Sequence, residues 1–288
     1  MKYGSTEPSE FIDFSLPEDH KDTSSILKKG NGLKEVYIGS AKWSKDNFKN
    51  FYPASNRDNL SVYAQKFNSV EVNATFYNNY PPEQIIKWSE KTPEGFKFFP
   101  RVPNYISHIK RLIEVDTEVD TFINSIKAFG PKLGTVYLQL HSKFNSQKFE
   151  KIERFVQSWP SDIPLGIELR NKEWFTHKEI SKALFHLLEK HKITNIITDS
   201  TAKRELLHMR LTTPTAYIRF ISDTSENDYD RLDQWLDRVH LWSSKGLENL
   251  YFFVHHTEPE ESSMLTEYFI DRFNNRFESQ IGLTKTNR

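Results

Sequence analysis

Two short stretches carry the residues best suited to chemistry: "SVEVNATFY", from Ser69, and "LGIELR", from Leu165. In the first, Val70 and Val72 alternate with Glu71 and Asn73, which puts the carboxylate and the amide on one face of a strand. In the second, Glu168 and Arg170 share a face in the same way. Glu71 and Glu168 are candidates for a general acid and base. A glycosidase would need two such carboxyls roughly 5 to 9.5 Å apart, a distance the sequence leaves open. His108, in the loop after "FKFFPR", is a candidate proton shuttle. Asp199, in "TNIITDS", is a third candidate carboxylate.

Arginines accompany the acids. Arg101, Arg170 and Arg219 each end or nearly end a strand-like segment. The planar guanidinium suits bidentate binding of a carboxylate or phosphate. Glu71, Glu168 and Asp199 facing these three arginines would make a largely self-neutralised polar pocket. The arginines either pair with the acids or are partly reserved for an anionic ligand, and both readings stay open. Asn73, Gln139 and His255 join the candidate binding residues. Trp43, Tyr77 and Trp174, with Phe51, Tyr52, Phe76 and Tyr80, follow strand ends, where flat rings could stack a ligand or close the mouth as a lid. His108, His141, His255, His256, Glu168 and Asp199 include metal-ligand types. No short spacing among them is diagnostic, and "VHHTEPEE" is not a His-Glu-x-x-His helix. A divalent metal is possible on residue type alone; no metal or cofactor is expected.

These side chains need a scaffold that gathers strand ends. Eight strand-like segments are expected, at 35–41, 69–76, 96–101, 134–140, 165–170, 194–200, 215–221 and 249–256. They are short and rich in β-branched and aromatic residues. Amphipathic helical stretches separate most of them. "THKEISKALFHLLEKH" and "YDRLDQWLDRVHLWSSKG" are the clearest, and the span after the sixth strand holds at most a short helix. The pattern predicts a single α/β domain, a (β/α)8 TIM-type barrel over 35–280, with groups at the carboxyl ends of its strands lining the site. A doubly wound sheet is the alternative, but the first turn, "GSAKWS", lacks a Gly-rich fingerprint. Residues 1–34 read as a polar, loosely packed extension and 281–288 as a tail.

Composition bounds the function classes. The 288-residue chain has 39 Lys plus Arg against 39 Asp plus Glu, so no global field steers it to nucleic acid or an anionic membrane. It has no cysteine, which removes disulfides, thiolate ligands and thiol nucleophiles together. There is no signal-peptide pattern and no apolar run of membrane-spanning length. A cytoplasmic protein that binds a small molecule is expected, with its oligomeric state undetermined.

Taken in order, "IGSAKWS", "FYP" at Phe51 to Pro53, "VEVNATFY", "PEGFKFFPRVPNYISH", "VYLQLHSKF", "IELRNKEWF" and "ITDS" resemble the YecE-like family, the domain of unknown function 72. The resemblance covers roughly residues 36–256. It implies a TIM-type barrel with a pocket and prescribes no reaction. The family's motif positions fall on Trp43, Glu71, Asn73, Tyr77, His108, Gln139, Glu168, Arg170, Trp174, Asp199 and Arg219. There are departures. Arg101 stands where the family usually has lysine, which keeps the charge and excludes imine chemistry. The seventh strand reads Arg219-Phe220-Ile221-Ser222 in place of Arg-x-His-Gly. The eighth carries His255 and His256 in place of asparagines. The functional expectations are an enzyme of hydrolase, lyase or isomerase type acting on a small polar or anionic, carbohydrate-like or phosphorylated substrate, a non-catalytic binding barrel, or a metal-dependent nuclease-like barrel.

Overall fold

The computed structural model describes residues 13–44, 52, 58–223, 225, 227–255 and 263–282. Nine strands are present among them: β1 Glu35–Ser40, β2 Ser69–Val72, β3 Lys97–Pro100, β4 Val136–Gln139, β5 Leu165–Glu168, β6 Thr194–Asn195, β7 Ile197–Ser200, β8 Thr215–Ile221 and β9 Asn249–His255. They form a six-stranded sheet in the order β3-β2-β1-β9-β8-β7 and a three-stranded sheet in the order β4-β5-β6. Every strand pairing is parallel. The α/β class expected from the sequence is therefore present, with helices covering the outer face of the strands. The expected sixth strand is two pieces. Thr194–Asn195 pairs with β5 and Ile197–Ser200 with β8, and they part at Ile196, whose side chain fits over the bare Cα of Gly166. Two isolated bridges, Phe98 with Leu133 and Arg101 with Tyr137, lead from β3 towards β4.

The expected second strand, 69–76, stops at Val72. Asn73 turns into the α region, and Ala74–Tyr77 makes one helical turn. Thr75 explains the stop. Its hydroxyl lies within donating distance of the carbonyls of Val72 (2.8 Å) and Arg101 (2.7 Å), its one proton serving either, and accepts from the Arg101 amide (3.0 Å), replacing the ladder that a longer strand would make.

Strands covered on both faces bury alternate residues in two different layers. Outward residues such as Ile38, Val70, Phe98, Ile197, Phe220 and Phe252 join the large core under the helices. Inward residues Phe99, Tyr137, Ile196, Tyr217, Tyr251 and Phe253 form a second, mainly aromatic cluster. Tyr217 sits at its centre, with edge-on contacts to Phe99, Tyr137 and Tyr251. This cluster is the floor beneath the polar groups described below.

After β7 the chain forms only a 3-10 stretch, Thr201–Leu206, before running to β8. The N-terminal extension occupies the space beside it. The extension was expected to be loosely packed; residues 13–18 are irregular and mostly exposed, while the stretch that follows is anchored. Thr23–Leu27 is helical, and Ile26 and Leu27 are core residues. The Thr23 hydroxyl donates to the Met209 carbonyl (2.8 Å), and Asp19 accepts from Trp242 and pairs with Arg238 on helix Asn227–Ser244. A layer helix is missing here, and its apolar neighbours would otherwise face water.

Candidate functional site

At the carboxyl ends of the strands, above the aromatic floor, five elements bring buried polar side chains together. Arg219 of β8 is the hub. Its Nε and Nη2 bind the two oxygens of Glu71, from β2, at 2.8 and 3.0 Å. Its Nη1 bonds Glu168 Oε2, from β5. The Tyr217 hydroxyl, one strand repeat earlier, donates to Glu71 Oε1 at 2.9 Å. One guanidinium thus joins the two carboxylates singled out as an acid/base pair. Gln139 of β4 continues the chain: its Nε2 donates to Glu168 Oε2 (2.7 Å), and its Oε1 accepts from Arg101. Arg101 also donates to Asn73 Oδ1 (3.1 Å), which takes a second bond from the Tyr137 hydroxyl (2.8 Å). Asn73 is fixed in turn by donating to the Ala41 carbonyl (2.9 Å).

Arg170 and His255 close the upper edge. Arg170 Nε lies 3.5 Å from Glu168 Oε1, and its side chain is 11% exposed. His255 Nε2 comes within 2.7 Å of Glu71 Oε2, within ion-pair range but off the line of a hydrogen bond. His108 approaches from the turn after β3. Its ring stands edge-on to Phe76 at 5.0 Å and to His141 at 5.5 Å, with Ser107 Oγ 2.9 Å from its Nδ1.

Electrostatics separates these groups by role. Burial works against ionising Glu71, yet Arg219 and then His255 overcome it and hold the carboxyl well below the usual carboxylate range. Glu168 is also lowered: burial is again opposed, by Arg219, Arg170 and the Gln139 amide. Both are carboxylates at neutral pH, which suits a base or a charge stabiliser and not an acid. Burial, followed by the charge of Arg101, pushes His108 down to about 4, and burial with Arg219 lowers His255. The His108 ring is therefore neutral at pH 7.

Arg101 differs from the other two arginines. It is 6% exposed, and among the described residues no carboxylate lies within ion-pair distance of it. Its partners are the amide oxygens of Asn73 and Gln139 and the face of Phe76, 3.6 Å from the ring centroid. Its Nε has no hydrogen-bond partner, and neither has Glu168 Oε1, although both are buried. Buried polar atoms are normally satisfied, so these two stand out, Glu168 Oε1 having only the longer ion-pair contact with Arg170.

Several sequence-based candidates lie elsewhere. Asp199 points outward. It is in register with Phe220, an outer-core residue, while its neighbour Thr198 is in register with the inward Arg219. Its carboxylate meets Arg231 (2.9 Å), Arg204 and the Trp235 indole (2.7 Å), in a buried network that continues from Arg231 to Asp228 (2.6 Å). The expected balance of three acids and three arginines therefore becomes two acids and three arginines. Trp174 is a core residue: fully buried, stacked on Phe144 and donating to its carbonyl. Trp43 packs on Trp88 of helix Pro82–Glu90, away from the cluster. Tyr77 is 65% exposed. His256 and Phe51 lie outside the described residues. Among the described residues, no group of three His, Asp or Glu is arranged to hold a metal ion, and no helix is long and apolar enough to cross a membrane.

Tyr137, Tyr217 and Phe76 belong to the cluster and were not among the candidate site residues. The signal for the tyrosines was present, since each precedes a site residue by two on its strand. Phe76 was among the strand-end aromatics that could stack a ligand or close the mouth; its contact with Arg101 spans two strands and was not legible.

Because Asp199 serves the outer layer, Asp199→Asn is expected to destabilise the protein by about 1.5–3 kcal/mol through weakened charge-assisted hydrogen bonds. Ligand binding at the strand ends should be unaffected. Urea unfolding alongside a binding titration checks this. Unchanged stability with lost binding would return Asp199 to the site.

Comparison with known proteins places the chain. Residues 37–287 match the family described as protein of unknown function DUF72, and the chain belongs to that family. The UPF0759 protein YecE of Escherichia coli K12 is 28% identical over 239 residues, spanning 76% of this chain and 86% of that protein. The UPF0759 protein YunF of Bacillus subtilis is 28% identical over 151 residues, 49% of this chain and 52% of YunF. Among solved structures, a DUF72 family protein of Thermotoga maritima superposes with a TM-score of 0.68 at 20% identity, covering 85% of this chain and all (100%) of that one. One from Enterococcus faecalis V583 gives 0.66 at 16% identity, covering 87% and 100%. At those identities the structures speak for the fold alone.

Proposed function

We propose that the cluster around Arg219 is the active site of an enzyme that binds a small anionic substrate and moves a proton on it. The observation that carries this reading is Arg101, a buried guanidinium whose direct partners are all neutral. An uncompensated buried charge is costly, and a carboxylate or phosphate group on a substrate would supply the missing partner. The scaffold in this reading is a (β/α)8-type barrel. The isolated bridges from β3 towards β4, and the adjacency of β6 and β7 in the chain, support reading the two sheets as parts of one ring.

The roles follow from position. Arg101 and Arg170 hold the anion. Glu168, through Oε1, is the base, oriented by Gln139 and kept ionised by Arg219. Glu71 fixes Arg219. His108, neutral at pH 7, can donate or accept a hydrogen bond at the rim. The substrate is small and polar, of phosphorylated or carbohydrate-acid type, and the chemistry is of hydrolase, lyase or isomerase character.

A non-catalytic anion-binding barrel is the second reading, favoured by Arg219 engaging both carboxylates at once. A thermal-shift panel of sugar phosphates, free sugars, nucleotides and carboxylic acids separates the possibilities when followed by product analysis. An anion at about a hundredfold its dissociation constant should stabilise by ~2.7 kcal/mol, a shift of several degrees. The shift should vanish in Arg101→Gln. Glu168→Gln should keep binding and lose turnover. An unchanged ligand after prolonged incubation would favour the non-catalytic barrel. A shift that persists without Arg101 would overturn the anion assignment itself.

A further inference from the structure

A second cavity, of about 840 Å³, lies on the flank of the molecule where the layer helix after β7 is missing. Its walls are the leader at His20–Ser25, helix Lys178–Lys190, the turn at Phe175 and Thr176, and the strand-like run at His208 and Arg210. The cause of the cavity is plain from the fold. A five-residue helical turn, Thr23–Leu27, fills a slot that elsewhere takes a full helix. The size falls within the roughly 300–1,000 Å³ of small-molecule sites.

The lining is cationic and aromatic. Lys21, Lys178, Lys182 and Arg210 face only Asp22 and Glu189. Arg210 engages both acids, and Lys29 also reaches Glu189. Among the described residues none of Lys21, Lys178 and Lys182 forms an ion pair. Lys178 and Lys182 sit in the first two turns of a helix whose N-terminus has no side-chain cap, with Glu179 between them in the first turn, outside the cavity lining. Positive charge there opposes the helix dipole, which favours an anion. Arg210, also in the lining, is buried; its terminal nitrogens are engaged by Glu189, Asp22 and the Leu211 carbonyl, and its Nε has no hydrogen-bond partner. Rings complete the lining: Phe175, partly exposed, stacks on His208 at 4.5 Å, while Phe185 is buried beside it at 6.5 Å with the Arg210 guanidinium over its ring at 5.1 Å.

We propose that this cavity is a second ligand site, which takes a small aromatic phosphate monoester, its ring against Phe175 and its phosphate between Lys178, Lys182 and the helix N-terminus. It is separate from the strand-end cluster and does not depend on that cluster's function.

The test is calorimetric titration of the full chain with phenyl phosphate, and with inorganic phosphate as the comparison. One equivalent of phenyl phosphate should bind more tightly than inorganic phosphate. The double variant Lys178→Ala/Lys182→Ala should weaken it about tenfold. Both lysines are exposed, so the variant's unliganded melting point should match the wild type. Arg101→Gln, which lacks the anion holder of the strand-end cluster, should keep the equivalent of phenyl phosphate that depends on Lys178 and Lys182. Absent binding, equal affinity for the two probes, or an undiminished double variant would overturn the proposal. So would loss of binding in Arg101→Gln alone, which would move the ligand to the strand-end cluster.

Discussion

Arg219→Met is expected to destabilise the protein by about 3–5 kcal/mol, because it leaves two fully buried carboxylates facing each other with their shared cation gone. Glu71 and Glu168 are both 0% exposed, and Arg219 bonds both. Methionine fills much of the same volume, so the loss is electrostatic and not a cavity effect. The pH dependence gives the cause away. In the wild type both carboxyls are held below their ordinary range, so the stability they contribute is present above the unfolded carboxylate pKa and is lost as pH falls through the folded values. In the variant, burial and mutual repulsion raise the folded pKa values above the unfolded ones. Its stability should therefore rise on acidification towards about pH 4, and the two curves should converge. Urea midpoints at neutral and mildly acidic pH check this. A gap that stays constant across pH would mean Arg219 matters for packing and not for charge. Adding Glu71→Gln and Glu168→Gln to the variant should recover a good part of the loss at neutral pH.

Arg101→Met is expected to behave in the opposite way. It removes a buried charge whose direct partners, Asn73 Oδ1, Gln139 Oε1 and the Phe76 ring, are neutral. Burial, the largest influence on it, already pulls the guanidinium below its ordinary range. Replacing under-compensated buried ions with apolar groups is often neutral or stabilising, by about 1–4 kcal/mol. Two amide oxygens lose a donor, which offsets part of that gain. The unliganded variant should thus be about as stable as the wild type, while anion binding is abolished. Stability and binding would then separate at this residue and fall together at Arg219. A strongly destabilised Arg101→Met, with binding intact in the folded fraction, would make Arg101 a structural residue.

Much of the site was legible in the sequence. Glu71, Asn73, Arg101, Gln139, Glu168, Arg170 and Arg219 were chosen from strand alternation and meet in one hydrogen-bonded cluster, with His255 at its edge and His108 beside it. Alternation is a local property: successive side chains on a strand must point to opposite faces whatever surrounds them. Asp199 shows the limit. In "TNIITDS" both faces are covered, so apolar and polar residues alternate in neither register cleanly, and parity is decided by what packs on each side. Trp235, Arg204 and Arg231 take Asp199 outward, and all three are distant in structure-forming terms or follow an irregular turn. Trp174 and Trp43 show the same limit for aromatics, since position after a strand end does not say whether a ring faces ligand or core.

The sequence by itself determined the α/β class, most strand positions, the family and the inward set of charged residues, because these depend on periodicity and on residue types along the chain. The tertiary structure decided who pairs with whom. Arg219 bridges two acids, Arg101 meets only neutral groups, and a leader read as loose replaces a missing helix and leaves a cavity beside it. Those outcomes depend on burial and charge balance across strands far apart in sequence, where the cost of an unpaired ion is set by every neighbour at once.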